Sequence, residues 1–494
     1  MIDPSGAMAT TAAPALRKTI ERELKLEVGS AFRLPALPGE PLSRRIFVSV
    51  YHDTADHQLA RHRVTLRRRT EKRKHRWQVK LPRGAARLEL ELSGSATEPP
   101  EEVRRLLAVY TRGAALAPIA TLLTRRSGVL VRDLRGPVAE VVLDAVSVFE
   151  GGRVAQRFRE VEVELVGGGT EPDLEHIGAM LRAAGARQSD GRPKVFRALG
   201  LAVAPEVAAL EPAASALDHV RAMLREQLEA IRAHDPGTRL GTDPEELHQM
   251  RVAVRRLRAI LRAARPLFET GAIEALREEL AWLGDALGLR RDLDVMRDYL
   301  REELTTLEPV ERRAGHRLLR HLEDAREATR LQLAKALDDD RYFALLDRIE
   351  ETVAHPPGTD AEISLHDIAA RAFKKLRKIV EALPEPATDA DLHRVRIRAK
   401  RARYAAELAA PVVGRPAERF VDKAKRLQDI LGEHQDAVVA ESRLRELFDG
   451  VRGRRAGFVA GRLVERQRAR RVAARADFAT IWPKVARRGR KAWA

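Results

Sequence analysis

The feature that most constrains this chain is a change of hydrophobic period near Leu201. Before it, polar and apolar residues alternate every two positions, whereas after it apolar residues recur at three- and four-residue spacing almost to the end. A period of two puts neighbouring side chains on opposite faces of a strand, and a period near 3.6 gathers them on one stripe of a helix. The spacing therefore predicts an α+β chain of two domains, a strand-rich one followed by an all-α one, and its 494 residues suffice for both. The predicted boundaries are a flexible lead-in at 1–15, the first domain at 16–202, an Ala- and Pro-rich linker at 203–215, the helical domain at 216–480, and a disordered basic tail at 481–494.

Composition narrows the chemistry. The absence of cysteine excludes disulfides, thiolate catalysis and thiolate zinc sites, and fits a reducing cytoplasm. No window approaches the roughly 18 consecutive apolar residues of a membrane span, so no membrane partner is expected. The formal charge of +18 is uneven: residues 1–200 carry +10, 201–450 carry −4 and 451–494 carry +12. A uniformly basic nucleic-acid coat does not look like this. With only 4% aromatics there is little to stack on bases, and no standard DNA- or RNA-binding motif is present.

In the first domain, Ile20–Val28, Ile46–Tyr51, Arg63–Arg69, Arg76–Leu81, Arg87–Leu92, Val138–Val148 and Arg159–Val166 read as strands, with helices at Glu101–Tyr110 and Leu174–Ala184. Glu21, Glu23, Lys25 and Glu27 share one strand face, as do Arg87, Glu89 and Glu91, and Glu160, Glu162 and Glu164, with Leu and Val opposite. Arg67 and Arg69 share a face, and so do Arg76, Gln78 and Lys80. Strand by strand, such faces are the solvent side of a sandwich. In a closed barrel they would line a lumen, where carboxylates hold a hard cation and basic groups hold an anion, an arrangement suited to a Mg²⁺- or Mn²⁺-bound polyphosphate.

Glu21-x-Glu23-x-Lys25, Tyr51-His52-Asp53-Thr54, Leu66-Arg67-Arg68-Arg69, Lys80, Arg87-x-Glu89-x-Glu91, Arg125-Arg126, Asp144, Glu162-x-Glu164 and Ser189 through Lys194 occur in an order that resembles the motifs of the CYTH family, the triphosphate tunnel metalloenzymes. The resemblance spans about Ile20 to Leu201. It implies an eight-stranded antiparallel β-barrel, or tunnel, with peripheral helices, acting on triphosphates with Mg²⁺ or Mn²⁺. It also implies roles: Glu21, Glu23, Glu162, Glu164 and Asp144 at the metal, with Glu91 as a further contributor; Lys25, Arg67, Arg69, Lys80, Arg126 and Lys194 at the phosphates; and Glu21, Glu23 and Lys25 as the catalytic set.

The helical half repeats itself. LHQMRVAVRRLRAIL from Leu247 is matched by LHRVRIRAKRARYAAEL from Leu392, and WLGDALGLRRDLDVMRDYL from Trp282 by RLQDILGEHQDAVVAESRL from Arg426. Two copies in the same order predict a pseudo-symmetric pair of four-helix bundles, at about 216–350 and 362–480. His248, Arg251, Arg255 and Arg258 form one helical stripe, and His393, Arg396, Lys400 and Arg403 repeat it. No acidic residue lies between Glu246 and Glu269 or between Asp391 and Glu407, so these stripes repel themselves until an anion, or a carboxylate of the protein, compensates them. Zinc is a competing role for the histidines, but both copies set His among cations rather than carboxylates.

These repeats resemble the CHAD family, the conserved-histidine α-helical domain, over about Ala216 to Ala479. The resemblance implies binding of inorganic polyphosphate by the eight stripe residues, with Arg262, Lys374 and Lys378 as additions. The expectation is a cytoplasmic metal-dependent inorganic triphosphatase whose helical domain binds polyphosphate and can carry it to polyphosphate granules. Adenylate cyclase, thiamine triphosphatase and a non-catalytic polyphosphate adaptor are the alternatives.

Overall fold

The computed structural model describes residues 16–84, 86–202, 210–269, 271–306, 308–359, 363–449 and 454–493. The expected lead-in and residues 203–209 of the expected linker lie outside these. The chain divides into two compact units, Met1–Val207 and Ala208–Ala494.

The first unit runs β1 (Arg17–Glu21), β2 (Glu23–Val28), β3 (Gly39–Asp53), α1 (Gln58–Arg61), β4 (Thr65–Glu71), β5 (Lys74–Arg83), β6 (Ala86–Ser93), α2 (Glu101–Thr111), β7 (Ala117–Asp133), β8 (Gly136–Glu150), β9 (Arg153–Leu165), α3 (Glu171–Ala183), β10 (Arg187–Gln188) and α4 (Lys194–Leu199). Among the described residues the strands form one antiparallel sheet in the order β1-β6-β5-β4-β3-β7-β8-β9-β2-β10. The expectation of eight strands is corrected to ten. The expected first strand is broken at Arg22: β1 pairs with β6, and β2 pairs with β9 at the other end of the order. The ladders do not run from β1 onto β2, yet one residue of backbone joins them. The long strand β7 was not anticipated, because Ile119 to Val131 carries no clean alternation and its burial is mixed along its length.

The apolar strand faces point away from the charged ones and lie beneath helices. Leu26, Val141, Val161 and Val163 pack under Leu174, Ile177 and Leu181 of α3, and Val146, Val148 and Phe158 pack with Val195 and Phe196 of α4. Each such side chain contributes on the order of 1.5–3 kcal/mol when fully buried. Gly178 permits the close seat of α3, since a Cβ there would come within 2.5 Å of Leu24 Cδ2.

The second unit is helical: α5 (Ala216–Leu240), α6 (Pro244–Ala263), α7 (Glu274–Thr305), α8 (Pro309–Leu337), α9 (Asp340–Ala354), α10 (Leu365–Glu381), α11 (Asp389–Val413), α12 (Arg415–Asp449) and α13 (Arg454–Trp493). The helices α5 to α8 pack in succession and so do α10 to α13, and α6 against α11 and α8 against α13 join the halves. The halves are not equal bundles of four. The first has a fifth helix, α9, closed onto α5 by the buried Tyr342, whose hydroxyl donates to Asp235 at 2.8 Å. In the second half the long α13 reaches α10 instead. The tail expected to be disordered is the end of α13, and Arg487, Arg488, Arg490 and Lys491 lie on that helix. It is held because Val485, Ala486, Ala492 and Trp493 are buried and Trp493 meets the Phe420 ring edge-on at 5.8 Å.

Candidate functional site

The charged strand faces meet in a cavity of about 290 Å³ lined from β1 through β9 and by the start of α4. Strand pleating puts Thr19 and Glu21 of β1, Glu23 and Lys25 of β2, Arg67 and Arg69 of β4, Gln78 and Lys80 of β5 and Arg87, Glu89 and Glu91 of β6 on this face. Register decides who meets whom. Arg67 lies opposite both Tyr51 and Gln78 and donates to each, at 3.2 and 2.8 Å. Lys25 lies opposite Glu162 at 3.6 Å and reaches Glu23 at 3.1 Å. Lys80 lies opposite Glu89 at 3.4 Å and donates to Glu21 at 2.5 Å.

Within this mixed lining two clusters of like charge stand out. On one side Arg45, Arg67, Arg69 and Arg126 crowd together. Burial and these three neighbours push the Arg69 guanidinium down to about 10, and it stacks over the Phe47 ring at 3.5 Å. On the other side Glu23 faces Glu164 across β2 and β9, and Glu164 faces Glu140 across β9 and β8. Glu140 and Glu164 make no ion pair among the described residues. Burial, together with Glu23, Glu162 and Glu140, pushes the Glu164 carboxyl up. Burial and a hydrogen bond to Glu89 push the Glu21 carboxyl up to about 8, against the opposing charge of Lys80.

Asp144, expected at the metal, is placed differently. It is fully buried and absent from the cavity wall, and holds Arg126 through paired contacts of 2.8 and 2.7 Å. Asp144, Glu160 and Glu162 offer oxygens within 4.8 Å of one another, a spacing that suits a metal, but Lys194 Nζ sits among them at 3.0, 2.6 and 2.6 Å. Burial opposes the Lys194 charge, and these three carboxylates outweigh it and hold the ammonium well above its usual range. Lys194 and Arg126, expected on phosphate, are thus matched by carboxylates from behind while still lining the cavity. The remaining expected residues, Glu21, Glu23, Lys25, Arg67, Arg69, Lys80, Glu162, Glu164 and Glu91, all line it.

Sequence reasoning missed Arg45 and Glu140, and placed Gln78 and Glu89 on the charged faces without giving them a role. Glu89 sits between Gln78 and Lys80, accepting from the Gln78 amide at 2.6 Å. For Glu140 the four-residue spacing to Asp144, which keeps both on one strand face, was a usable signal. Arg45 follows a register irregularity in β3, where alternation gives no guidance.

In the helical unit the stripe residues are divided between two surroundings. Toward α7 and α12 the repeat explains itself. Arg251 pairs with Asp292 at 2.9 Å and lies against Gly288, where a Cβ would be 3.5 Å from its guanidinium; Arg396 lies against Gly432 in the same way, at 3.9 Å, and feels the charge of Asp436. The Leu-Gly and later Asp of each copy therefore serve as seat and counterion for the arginine three residues after the histidine. His393 Nδ1 contacts Gln435 Oε1 at 2.7 Å, whereas the matching neighbour of His248 is Arg291, which, after burial, depresses the His248 imidazole.

Toward α10 the stripes open into a cavity of about 600 Å³ with Tyr404 and Ile397 among its apolar walls; of its cations Arg265 and Arg277 pair with Glu274, at 3.2 and 2.5 Å, and the others are Arg255, Arg258, Arg262, Arg371, Lys375, Arg398, Lys400 and Arg401. Among the described residues those eight cations make no ion pair. Burial, then Arg396 and Arg255, push the Lys400 ammonium down to about 8. Of the expected anion ligands, Arg255, Arg258, Lys400 and Arg262 reach this cavity. His248, Arg251, His393, Arg396 and Arg403 do not line it; Arg403 stacks over Tyr404 at 4.7 Å and reaches Glu407 at 3.5 Å. Lys374 and Lys378 lie elsewhere, and Arg371 and Lys375 take the place expected for them. Arg371, Lys374, Lys375 and Lys378 fall at i, i+3, i+4 and i+7 on one face of α10, so spacing alone could not choose between them.

Residues 19–180 match the model of the CYTH domain and residues 222–445 that of the CHAD domain. The chain is 30% identical over 470 residues to "Uncharacterized protein Rv2226" of Mycobacterium tuberculosis, covering 87% of this chain and 89% of that protein. Among solved structures, it resembles PptA from Streptomyces chartreusis at 26% identity and TM-score 0.46, covering 54% of this chain and 98% of that one. It also resembles the CHAD domain from the plant Ricinus communis at 29% identity and TM-score 0.46, covering 56% of this chain and 94% of that one.

Proposed function

Since this chain belongs to the proteins that join a CYTH domain to a CHAD domain in that order, we propose that its first unit is a metal-dependent triphosphatase acting through a tunnel, and that its helical unit binds inorganic polyphosphate. The observation that carries the first half is the row of carboxylates Glu23, Glu164 and Glu140 beside a cluster of arginines in the 290 Å³ cavity. Glu23, Glu140 and Glu164 are hard oxygen donors in a row, and a row of half-buried carboxylates without an ion-pair partner for Glu140 and Glu164 is what Mg²⁺ or Mn²⁺ stabilises. These three, with Glu162 beside them, would hold the ion, which when bound neutralises phosphoryl oxygens and makes bound water more acidic.

The chain's own residues supply the rest. Arg45, Arg67, Arg69 and Arg87 present charge-assisted donors to a triphosphate; Glu71, which pairs with Arg45 at 2.6 Å and with Arg69 at 2.9 Å, compensates only part of their charge. Gln78 and Tyr51 fix the Arg67 fork before substrate arrives, so little ordering is left for the transition state. Asp144 positions Arg126 and Lys194 without touching substrate. Positioning and charge compensation are what phosphoryl transfer asks of a protein.

The polyphosphate reading rests on the eight unpaired cations around the 600 Å³ cavity. A linear polyanion relieves their repulsion, and Lys400 is the residue that stands to gain most.

Phosphate release from tripolyphosphate, long-chain polyphosphate, ATP and thiamine triphosphate, each with Mg²⁺, Mn²⁺ or chelator, tests the assignment. Tripolyphosphate hydrolysis abolished by chelator is the expected result. Glu164→Gln and Glu23→Gln should each lower turnover about 10²-fold with unchanged circular dichroism. Conversion of ATP to cyclic AMP as the dominant reaction would replace triphosphatase by cyclase, and full activity in chelator would remove the metal.

A further inference from the structure

The two helical halves part company where the repeat says they should match. Arg326 and Arg330 of α8 stand at the repeat positions of Arg471 and Arg475 of α13, the N-cap Asp243 of α6 matches the N-cap Thr388 of α11, and Arg297 of α7 matches Glu441 of α12. In the second half the arginine pair is neutralised from within. Arg471 meets Asp389 at 3.0 Å and Glu441 at 3.1 Å, while Arg475 pairs with the same Asp389 and donates to the Ala387 carbonyl at 2.5 Å. Asp389 is the first residue of α11, so one carboxylate serves the helix N-terminus and both guanidinium groups.

In the first half the position of Asp389 is held by Pro244 and that of Glu441 by Arg297. One carboxylate has been lost and the other exchanged for a cation. Where they would stand is a cavity of about 300 Å³ lined by Pro244, Arg290, Arg297, Arg326 and Arg330. It shares no residue with either cavity described above. Its acidic groups are few. Asp294 is divided between Arg326 at 2.7 Å and Arg290 at 3.5 Å, and Asp243 caps α6 through the Glu245 N–H. Arg239, also on the wall, is matched by Asp235 and Asp338. Arg330 and Arg297 fall back on Glu327 and Asp298, pairs at the surface and of little worth.

We propose that this cavity binds a phosphoryl dianion, orthophosphate or diphosphate, which supplies in the first half the negative charge that Asp389 and Glu441 supply in the second. A dianion fits better than a carboxylate, because four arginines converge where one acid is already shared. Arginine forks also match the spread oxygens of a phosphoryl group, and the α6 N-terminus adds its own attraction. The volume lies at the small end of ligand pockets.

The test uses the full chain and reads the site directly, by phenylglyoxal labelling of Arg326 and Arg330 quantified by peptide mass spectrometry. The arms are orthophosphate, diphosphate, and chloride at matched ionic strength. Protection by either phosphate over chloride is expected, and which arm protects identifies the anion; equal labelling in all three overturns the proposal. Pro244→Asp restores the carboxylate of the second half at a helix position that favours Asp. It should protect both arginines without phosphate and abolish the phosphate effect, and an undiminished phosphate effect in that variant would count against the site. Arg330→Gln alters an exposed side chain that the fold does not need. Protection of Arg326 should then require about tenfold more anion, as expected for the loss of one charge-assisted contact; an unchanged requirement would also overturn the proposal.

Discussion

Lys400 shows at the scale of one residue how a structure stores affinity. Its ammonium is held down to about 8 by burial and by Arg396 and Arg255. Between about pH 8 and the ordinary lysine value near 10.4 the folded chain binds fewer protons than the unfolded one at this residue, so in the absence of ligand stability rises with pH across that window. Polyphosphate bound as proposed would reverse the balance, because a nearby anion raises the ammonium's pKa. Below pH 8 Lys400 is charged in both states. Above it, binding takes up a proton and affinity falls as pH rises. Calorimetric titration in buffers of different ionisation enthalpy should detect that uptake above pH 8 in the native chain and not in Lys400→Arg, whose charge does not titrate there. The residue type was visible in the sequence as part of a stripe. Its lowered pKa was not, because Arg255 is contributed by another helix.

Elements show which side chains a pattern can place and which it cannot. Period two correctly put Glu21, Glu23, Lys25, Glu162 and Glu164 on common faces, and the Leu-His openings of α6 and α11 correctly located both basic stripes. The break at Arg22 and the irregularity before Arg45 were illegible, since each depends on which strand lies alongside. The end of α13 failed as an expectation for a related reason: its basic residues suggest a solvated tail, while the residues that anchor it meet their partners only across the fold. Gly489 is one such anchor, as a Cβ there would come within 2.2 Å of the Phe373 ring of α10. Gly489→Ala should therefore destabilise the helical unit by about 1–3 kcal/mol through overpacking, despite the better helix propensity of alanine. Denaturant titration followed by helical circular dichroism measures it, and an unchanged or higher midpoint would show that α13 does not depend on this seat.

For the whole molecule, the charge of +18 describes none of the three charged cavities. The 290 Å³ cavity mixes both signs, and the two helical cavities lie in a stretch that is net acidic as far as residue 450. The 290 Å³ and 600 Å³ cavities share no residue, so their substitutions should act independently. Glu164→Gln should remove hydrolysis and leave polyphosphate affinity unchanged. Arg255→Glu combined with Lys400→Glu should weaken polyphosphate binding by about 10²-fold or more and leave tripolyphosphate turnover intact, with the residual affinity less sensitive to salt. A matched loss of both activities in either variant would show instead that the functions are one.

By itself the sequence determined the division into a strand unit and a helical unit, the internal repeat, and which residues share a face. These follow from local periodicity, which the backbone imposes whatever the chain packs against. Only the tertiary structure decided which face is enclosed and which cation keeps a counterion. The same alternation would serve a sandwich with its charges in water; here the helices α3 and α4 cover the Leu and Val faces and turn the carboxylates inward. Likewise Arg326 and Arg471 are equivalent in the sequence, and only the partners brought beside them, a divided Asp294 in one half and Asp389 with Glu441 in the other, make them different. Burial and proximity are properties of the folded neighbourhood, and they set both the charge state of a side chain and what it is free to bind.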